Sequence, residues 1–258
     1  MPPKKRKNNR LVPIFALLMA LAALGFLAWV FWQWRSTRDI QFVRYPEFGI
    51  ALPARYSIHG IDVSRYQERI NWTAVRDMQV QDVKLSFAII KATEGTSRVD
   101  PQFKRNWRKS KEAGITRGAY HFFIATRDGK KQAENFLKQV KFTTGDLPPV
   151  LDVETTNGVV AFELRKQVAA WLDAVEGATG VKPIIYTNVD FYKNYLQGFF
   201  DAYPLWVAHY LEAHQPRISR SWVMWQHSEK GRVNGIRSRV DFNVFNGDSV
   251  AFRSLLIP

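Results

Sequence analysis

From Ser57 to Gly247 the chain repeats one pattern, a short apolar run followed by a longer amphipathic segment. "YSIHGIDVS", "LSFAIIKAT", "TRGAYHFF", "PPVLDVE" and "KPIIYTN" are rich in β-branched and aromatic residues and read as strands. Between them lie "NWTAVRDMQV", "VDPQFKRNWRKSKEAG", "DGKKQAENFLKQV" and "AFELRKQVAAWLDAVEGATG", which read as helices, and "DFYKNYL" follows as a shorter one. Asn71 and Asp100 are candidate N-caps, Pro101 suits a first helical position, and Gly114 and Gly180 suit helix ends. Strands joined through helices run parallel, with the helices outside. "PLWVAHY", "WVMWQHS" and "RVDFNVFNG" follow as strands with fewer helices between them, which points to an incomplete α/β barrel. An open doubly wound sheet is the competing arrangement. No Gly-rich phosphate loop follows any strand, so neither a nucleotide nor another cofactor is expected.

The first 34 residues differ in kind. "MPPKKRKNNR" holds five Lys/Arg and no acid, and from Leu11 to Trp34 the only polar residue is Gln33. A helix needs about 20 apolar residues to cross a bilayer. Trp29, Trp32 and Trp34 suit an interfacial belt, and the upstream cations favour a cytoplasmic N-terminus. The expectation is a basic tail (1–10), a transmembrane anchor in the lipid bilayer (11–34), a stalk (35–56) and an extracytoplasmic domain (57–258). A cleaved signal peptide and a soluble core helix are the alternatives.

Net charge is +14, and setting aside the five N-terminal cations leaves 32 Lys/Arg against 23 Asp/Glu, or +9. Such a surface suits a polyanion: nucleic acid, anionic lipid or an anionic wall polymer. Export across a membrane disfavours nucleic acid. The chain has no cysteine, which excludes disulfides, thiolate metal sites and a thiol nucleophile.

"PPVLDVET" places Asp152 and Glu154 two apart in an apolar strand. Residues i and i+2 of a strand share a face, about 6.6 Å apart along the backbone. Parallel barrels carry their working site at the C-terminal strand ends. Asp62 closes the first strand and Asp241 lies near the last, so barrel closure would bring four carboxylates to one mouth. Like charges and burial raise carboxyl pKa values. One member would keep a proton near neutral pH while another stays ionised, the combination that glycoside cleavage uses. Taken singly, each acid could be a cap, a turn residue or a surface ion partner. A divalent metal site is a further reading, because His59, His121, His209 and His227 also fall near strand ends. The chain lacks paired-His spacing, and no metal is expected. Tyr66, Tyr120, Tyr186, Trp206, Tyr210 and Trp225 fall at or just after strand ends and could form a platform for sugar rings.

These stretches together resemble glycoside hydrolase family 25, the N,O-diacetylmuramidase type of lysozyme. "GIDVSRYQERINW", "FAIIKATEGTSRVDPQF", "AGITRGAYHFF", "PPVLDVET", "PIIYTN", "LWVAHY", "WVMWQHS" and "RVDFNVFNG" occur in family order over Ser57 to Gly247. The resemblance implies a modified TIM-like (β/α)5β3 barrel. It also implies cleavage of the β-1,4 bond between N-acetylmuramic acid and N-acetylglucosamine in peptidoglycan glycan strands. Glu154 would be the general acid and Asp152 its partner, with Asp62 and Asp241 in the same site. Tyr120, Tyr186, Trp206, Tyr210 and Trp225 would bind glycan. Two positions depart from the pattern: Thr155, where a second acid is frequent, and His227, where Tyr is frequent. Direct attack by Asp152, inversion through water and attack by the substrate's own acetamido oxygen are all open, and the Asp-x-Glu spacing favours the last. With the anchor, the expected location is the bacterial inner membrane, facing the wall. A barrel that binds glycan without cleaving it is the alternative function.

Overall fold

The protein is described here by a computed structural model covering residues 11–36, 42–210 and 215–258. The chain divides into two compact units, Met1–Ile40 and Gln41–Pro258. In the first, helix α1 (Leu11–Ser36) is 26 residues long. Its segment Pro13–Trp32 has the length and apolar composition to cross a membrane, and its described side chains are exposed. Pro13 sits in the first turn, where a missing N–H costs no helical hydrogen bond. The basic tail expected over residues 1–10 lies outside the described residues.

The second unit is a closed eight-stranded barrel: β1 (His59–Val63), β2 (Val83–Glu94), β3 (Thr116–Phe122), β4 (Val150–Asp152), β5 (Ile184–Asn188), β6 (Leu205–Ala208), β7 (Met224–Gly231) and β8 (Val240–Phe245). Strands β1 to β7 are parallel to their neighbours, and β8 closes the ring antiparallel to both β7 and β1. Helices α2 (Trp72–Asp77), α3 (Phe103–Glu112), α4 (Gly129–Gln139) and α5 (Ala161–Thr179) join β1 to β5. The short helix α6 (Val189–Phe191), continued by a π-turn to Leu196, leads to β6. Five strand–helix units followed by three strands give the (β/α)5β3 order, and the doubly wound alternative is excluded.

Alternate residues point inwards. Phe87, Ile89, Val150, Ile184, Met224 and Phe245 fill the barrel floor, which Phe252 of α7 (Ser249–Leu255) seals from below, its ring centroid 5.1 Å from that of Phe245. Gly60 of β1 belongs to this inner face: a Cβ there would lie 2.4 Å from the Phe87 ring, so only glycine fits. At the same end a buried ion pair ties β3 to the loop before β4. Arg117 meets Asp146 through Nε at 2.8 Å and Nη2 at 3.1 Å.

Two local expectations are corrected. The stalk over residues 35–56 is, in its described part, an ordered cover on the barrel. Phe42–Tyr45 pairs antiparallel with Ile50–Pro53, Phe48 packs on Phe242 at 5.3 Å, and the Arg232 N–H bonds the Phe48 carbonyl. These partners lie some two hundred residues away in sequence, so no local period betrays the hairpin. Asp100 does not cap α3, which begins at Phe103 after Gln102. Its carboxylate instead accepts the backbone N–H groups of Arg65 and Gln102, both at 2.8 Å.

Candidate active site

The barrel mouth holds a cavity of about 280 Å³. All four carboxylates expected there line it: Asp62, Asp152, Glu154 and Asp241. Asp62 and Asp152 come from the C-terminal ends of parallel strands. Asp241 comes from the N-terminal end of β8, which antiparallel closure turns to the same rim. Regular strand structure ends at Asp152, yet the chain stays pinned one residue further. The Val153 N–H bonds the Tyr186 carbonyl at 2.9 Å, and the Phe123 N–H bonds the Asp152 carbonyl at 2.9 Å. That bracing holds the i, i+2 relation, so both acids face the cavity.

Asp62 is set by a hydrogen-bonded frame. Its Oδ2 accepts from Gln226 Nε2 and from Asn243 Nδ2, each at 2.7 Å. Gln226 Oε1 in turn accepts the hydroxyls of Tyr186 and Tyr210. Asn243 Oδ1 accepts the Trp206 Nε1–H at 2.8 Å. Each carboxamide is thus oriented by an aromatic donor and can only present N–H to Asp62. Neither Gln226 nor Asn243 is among the site residues expected from the sequence. For Asn243 a signal existed, since it lies two residues from Asp241 on the same strand face.

Burial raises all four carboxyl pKa values, and each is pushed further by a neighbouring acid or held back by a donor. For Asp62, burial is opposed by the bonds from Asn243 and Gln226. Asp152 is driven well above the usual range by burial and then by the Glu154 charge, with Lys91 pulling back. Glu154 is raised by burial and Asp62, with a counteracting bond from Tyr186. Asp241 is pushed up to about 9, by burial first and then by Asp62. Both members of the Asp152–Glu154 pair are thus pushed towards the protonated form, by burial first, and Asp152 also by the Glu154 charge. Asp152 Oδ1 is buried without a hydrogen-bond partner among the described residues.

Five of the six expected aromatics line the cavity: Tyr66, Tyr120, Tyr186, Trp206 and Tyr210. Tyr66 is 71% exposed at the rim, on a turn braced by Ser64 Oγ accepting its N–H and by Ser238 Oγ bonding its carbonyl. Tyr186 packs on Trp206, ring centroids 4.4 Å apart. Trp225 is the exception. It is fully buried on the outer face of β7, among Phe42, Tyr56 and Trp222, with Nε1 bonded to the His209 carbonyl. His227 shares that outer face and does not touch the cavity, so its departure from the family pattern does not alter the cavity lining. Lys91, Phe122 and Gln67 complete parts of the wall that sequence analysis left unassigned.

The histidines near strand ends do not gather into a metal site, and among the described residues no cluster of His, Asp and Glu has that form. His121 is a core residue, bonded to Thr93 Oγ1 at 2.7 Å and Gln132 Oε1 at 3.2 Å.

A family model described as glycosyl hydrolases family 25 matches residues 61–236. Uncharacterized protein YegX of Escherichia coli (strain K12) is 52% identical over 200 residues, 78% of this chain and 74% of that protein. Lysozyme M1 of Streptomyces globisporus is 34% identical over 214 residues, 77% of this chain and 71% of the relative. Among solved structures, a family 25 glycosyl hydrolase from Bacillus anthracis matches with a TM-score of 0.72 at 30% identity, covering 82% of this chain and 99% of that one.

Proposed function

Since the chain belongs to glycosyl hydrolase family 25 and is a lysozyme-type peptidoglycan hydrolase, we propose that it cuts the β-1,4 bond between N-acetylmuramic acid and N-acetylglucosamine by substrate-assisted catalysis. Glu154 acts as general acid and Asp152 as the group that orients the substrate acetamide. The observation that carries this is the orphaned Asp152 Oδ1, buried at the mouth beside Glu154. A buried carboxylate oxygen without a donor is costly, and a substrate acetamido N–H would satisfy it.

The proton balance follows. When the acetamide N–H bonds Asp152, that carboxylate is favoured in its charged form, and the proton of the pair passes to Glu154. The acetamide oxygen attacks the anomeric carbon, the bond to the leaving oxygen breaks, and Glu154 gives that oxygen its proton. Water then opens the cyclic intermediate while Glu154 takes the proton back. Asp62, held towards its charged form by two amide donors, faces the developing positive charge. Tyr66, Tyr120, Tyr186, Trp206 and Tyr210 form the sugar platform. Residues 11–34 act as a bilayer anchor that places the barrel on the wall side of the bacterial inner membrane. The anchor reading is supported by the length and apolarity of Pro13–Trp32. Carbonate-resistant membrane association, lost on deleting residues 1–40, is its test.

The deciding experiment is Glu154→Gln on purified peptidoglycan, with products identified by mass. Release of chains ending in reducing N-acetylmuramic acid should fall at least about 100-fold. Undiminished release would remove Glu154 as the acid. Sacculus binding without any soluble product from the wild-type protein would favour the non-cleaving alternative.

A further inference from the structure

A second cavity, of about 360 Å³, adjoins the acid-lined one. Lys91 lines both. The second cavity is walled by Arg65, Arg98, Glu94 and Asp100 as well. Its carboxylates are already engaged. Glu94 takes Lys91 Nζ at 2.8 Å on one oxygen and Arg98 Nη1 at 2.7 Å on the other. Asp100 accepts the two backbone N–H groups that hold its loop. The arginines retain capacity. The Arg98 side chain is 74% exposed and spends Nη1 on Glu94, while Arg65 reaches the Tyr66 hydroxyl at a long 3.5 Å. Each guanidinium carries five N–H donors in a fork suited to a carboxylate.

The backbone under Arg98 is fixed. Arg98 and Val99 fold back on the end of β2, with Glu94 opposite Arg98, and Asn135 Nδ2 of α4 bonds the carbonyls of Gly95 and Arg98 at 3.0 and 3.2 Å.

The free guanidinium donors of the second cavity suit an anionic occupant, and because Lys91 lines both cavities, one ligand can reach from the acid-lined mouth into this annex. The N-acetylated sugars of a peptidoglycan strand are uncharged in their rings. Its negative groups lie on the lactyl-peptide branch of the muramic residue, which the ionised members of the acid cluster would repel from the mouth itself. We infer that the annex receives a carboxylate of the peptide stem, with Arg98 and Arg65 as donors, so that the enzyme prefers strands that still carry stems. The inference rests on the muramidase reading given above.

The test compares two polymers with the full-length protein in detergent: purified glycan strands with intact stems, and the same strands stripped by hydrolysis of the lactyl–peptide amide, which leaves only the shorter lactyl carboxylate on each muramic residue. The wild type should show a higher kcat/KM on stem-bearing strands. In Arg98→Gln the ratio of the two kcat/KM values should fall about tenfold, mainly through KM, the loss expected for one charge-assisted bond. Arg98→Lys should fall between, and thermal unfolding should show both variants folded. Equal wild-type rates on the two polymers, or an unchanged ratio in a folded Arg98→Gln, would overturn the stem assignment and leave the muramidase reading standing. A wild type that released nothing from either polymer would sink both.

Discussion

Asp241 stands directly opposite Asp62 in the register of the antiparallel pair β8–β1, so that the closing strand of the barrel sets one carboxyl against another. The two environments differ. Asp62 takes two amide N–H donors on one oxygen, whereas Asp241, only partly buried, is pushed up to about 9 by burial and by Asp62. Asp241 therefore holds the proton at neutral pH. Its folded pKa lies above the unfolded value, so the folded state binds the extra proton between about 4 and 9, and stability falls as pH rises through that window. Asp241→Asn removes the titration without changing shape. It should raise stability at pH 8 by more than about 1 kcal/mol and flatten the decline between pH 5 and 9. Thermal unfolding across pH reads this directly, and a variant with the wild-type slope would show that Asp241 is not the titrating group.

Gln226 connects the aromatic wall to the acids. It accepts from Tyr186 and Tyr210 and donates to Asp62. Gln226→Leu leaves two hydroxyls and a carboxylate short of partners, which should cost at least about 2 kcal/mol of stability. Losing a donor also lifts the Asp62 pKa, so activity at neutral pH should fall about tenfold or more, with the deficit narrowing as pH rises. Urea unfolding and a pH–rate profile separate the two effects. A parallel drop in activity at every pH would mean that Asp62 ionisation is not what Gln226 controls.

The acids were legible in the sequence because charge inside an apolar strand has few bland explanations. Asp152 and Glu154 declare their shared face by spacing alone. The aromatic wall was harder. A strand covered on both faces carries apolar residues at every position, so inward and outward cannot be told apart by alternation. Trp225 and Gln226 are neighbours on β7, and it is Gln226, one residue on, that reaches the mouth. β7 also carries register shifts against β8 between Gln226 and Ser228, which blur its period further. Asn243 and Gln226 were missed for a related reason: an uncharged amide on a strand looks like an ordinary polar residue until its partners are known. The hairpin over Phe42–Pro53 was invisible because its apolar residues pack on β7 and β8, at the far end of the chain.

His227 sits on the outer face of β7 between Phe42, Trp225 and Phe242, and neither ring nitrogen has a partner among the described residues. Burial, then the proximity of His59, lowers its pKa to about 3. The folded state resists a proton that the unfolded chain takes up near 6.5, so stability is lost as pH falls from about 6.5 towards 3. His227→Phe keeps the ring and removes two unsatisfied polar atoms. It should stabilise the fold by about 1–3 kcal/mol at neutral pH and by more at pH 5, with wall-cleaving activity unchanged. A loss of stability at pH 5 would show that the imidazole makes a bond worth keeping.

Arg117 and Asp146 meet at the opposite end of the barrel from the acids, with side chains only 6% and 5% exposed. Beyond the bidentate pair, Arg117 Nη1 bonds the Trp107 carbonyl at 2.6 Å, and its guanidinium lies 3.7 Å from the centre of the Trp107 ring. Asp146 also accepts the Thr143 N–H and hydroxyl, at 2.8 and 3.1 Å. Removing one partner strands a buried charge, so Asp146→Ala and Arg117→Ala should each cost about 3–5 kcal/mol. The double variant should cost clearly less than the sum, because the second deletion removes the charge that the first left unpaired. At temperatures where the variants remain folded, kcat should stay within about twofold of wild type, since the pair touches none of the mouth residues. A double-mutant cycle by urea unfolding measures the coupling. Strict additivity would mean that the two side chains act through Trp107 and Thr143 separately, and not on one another.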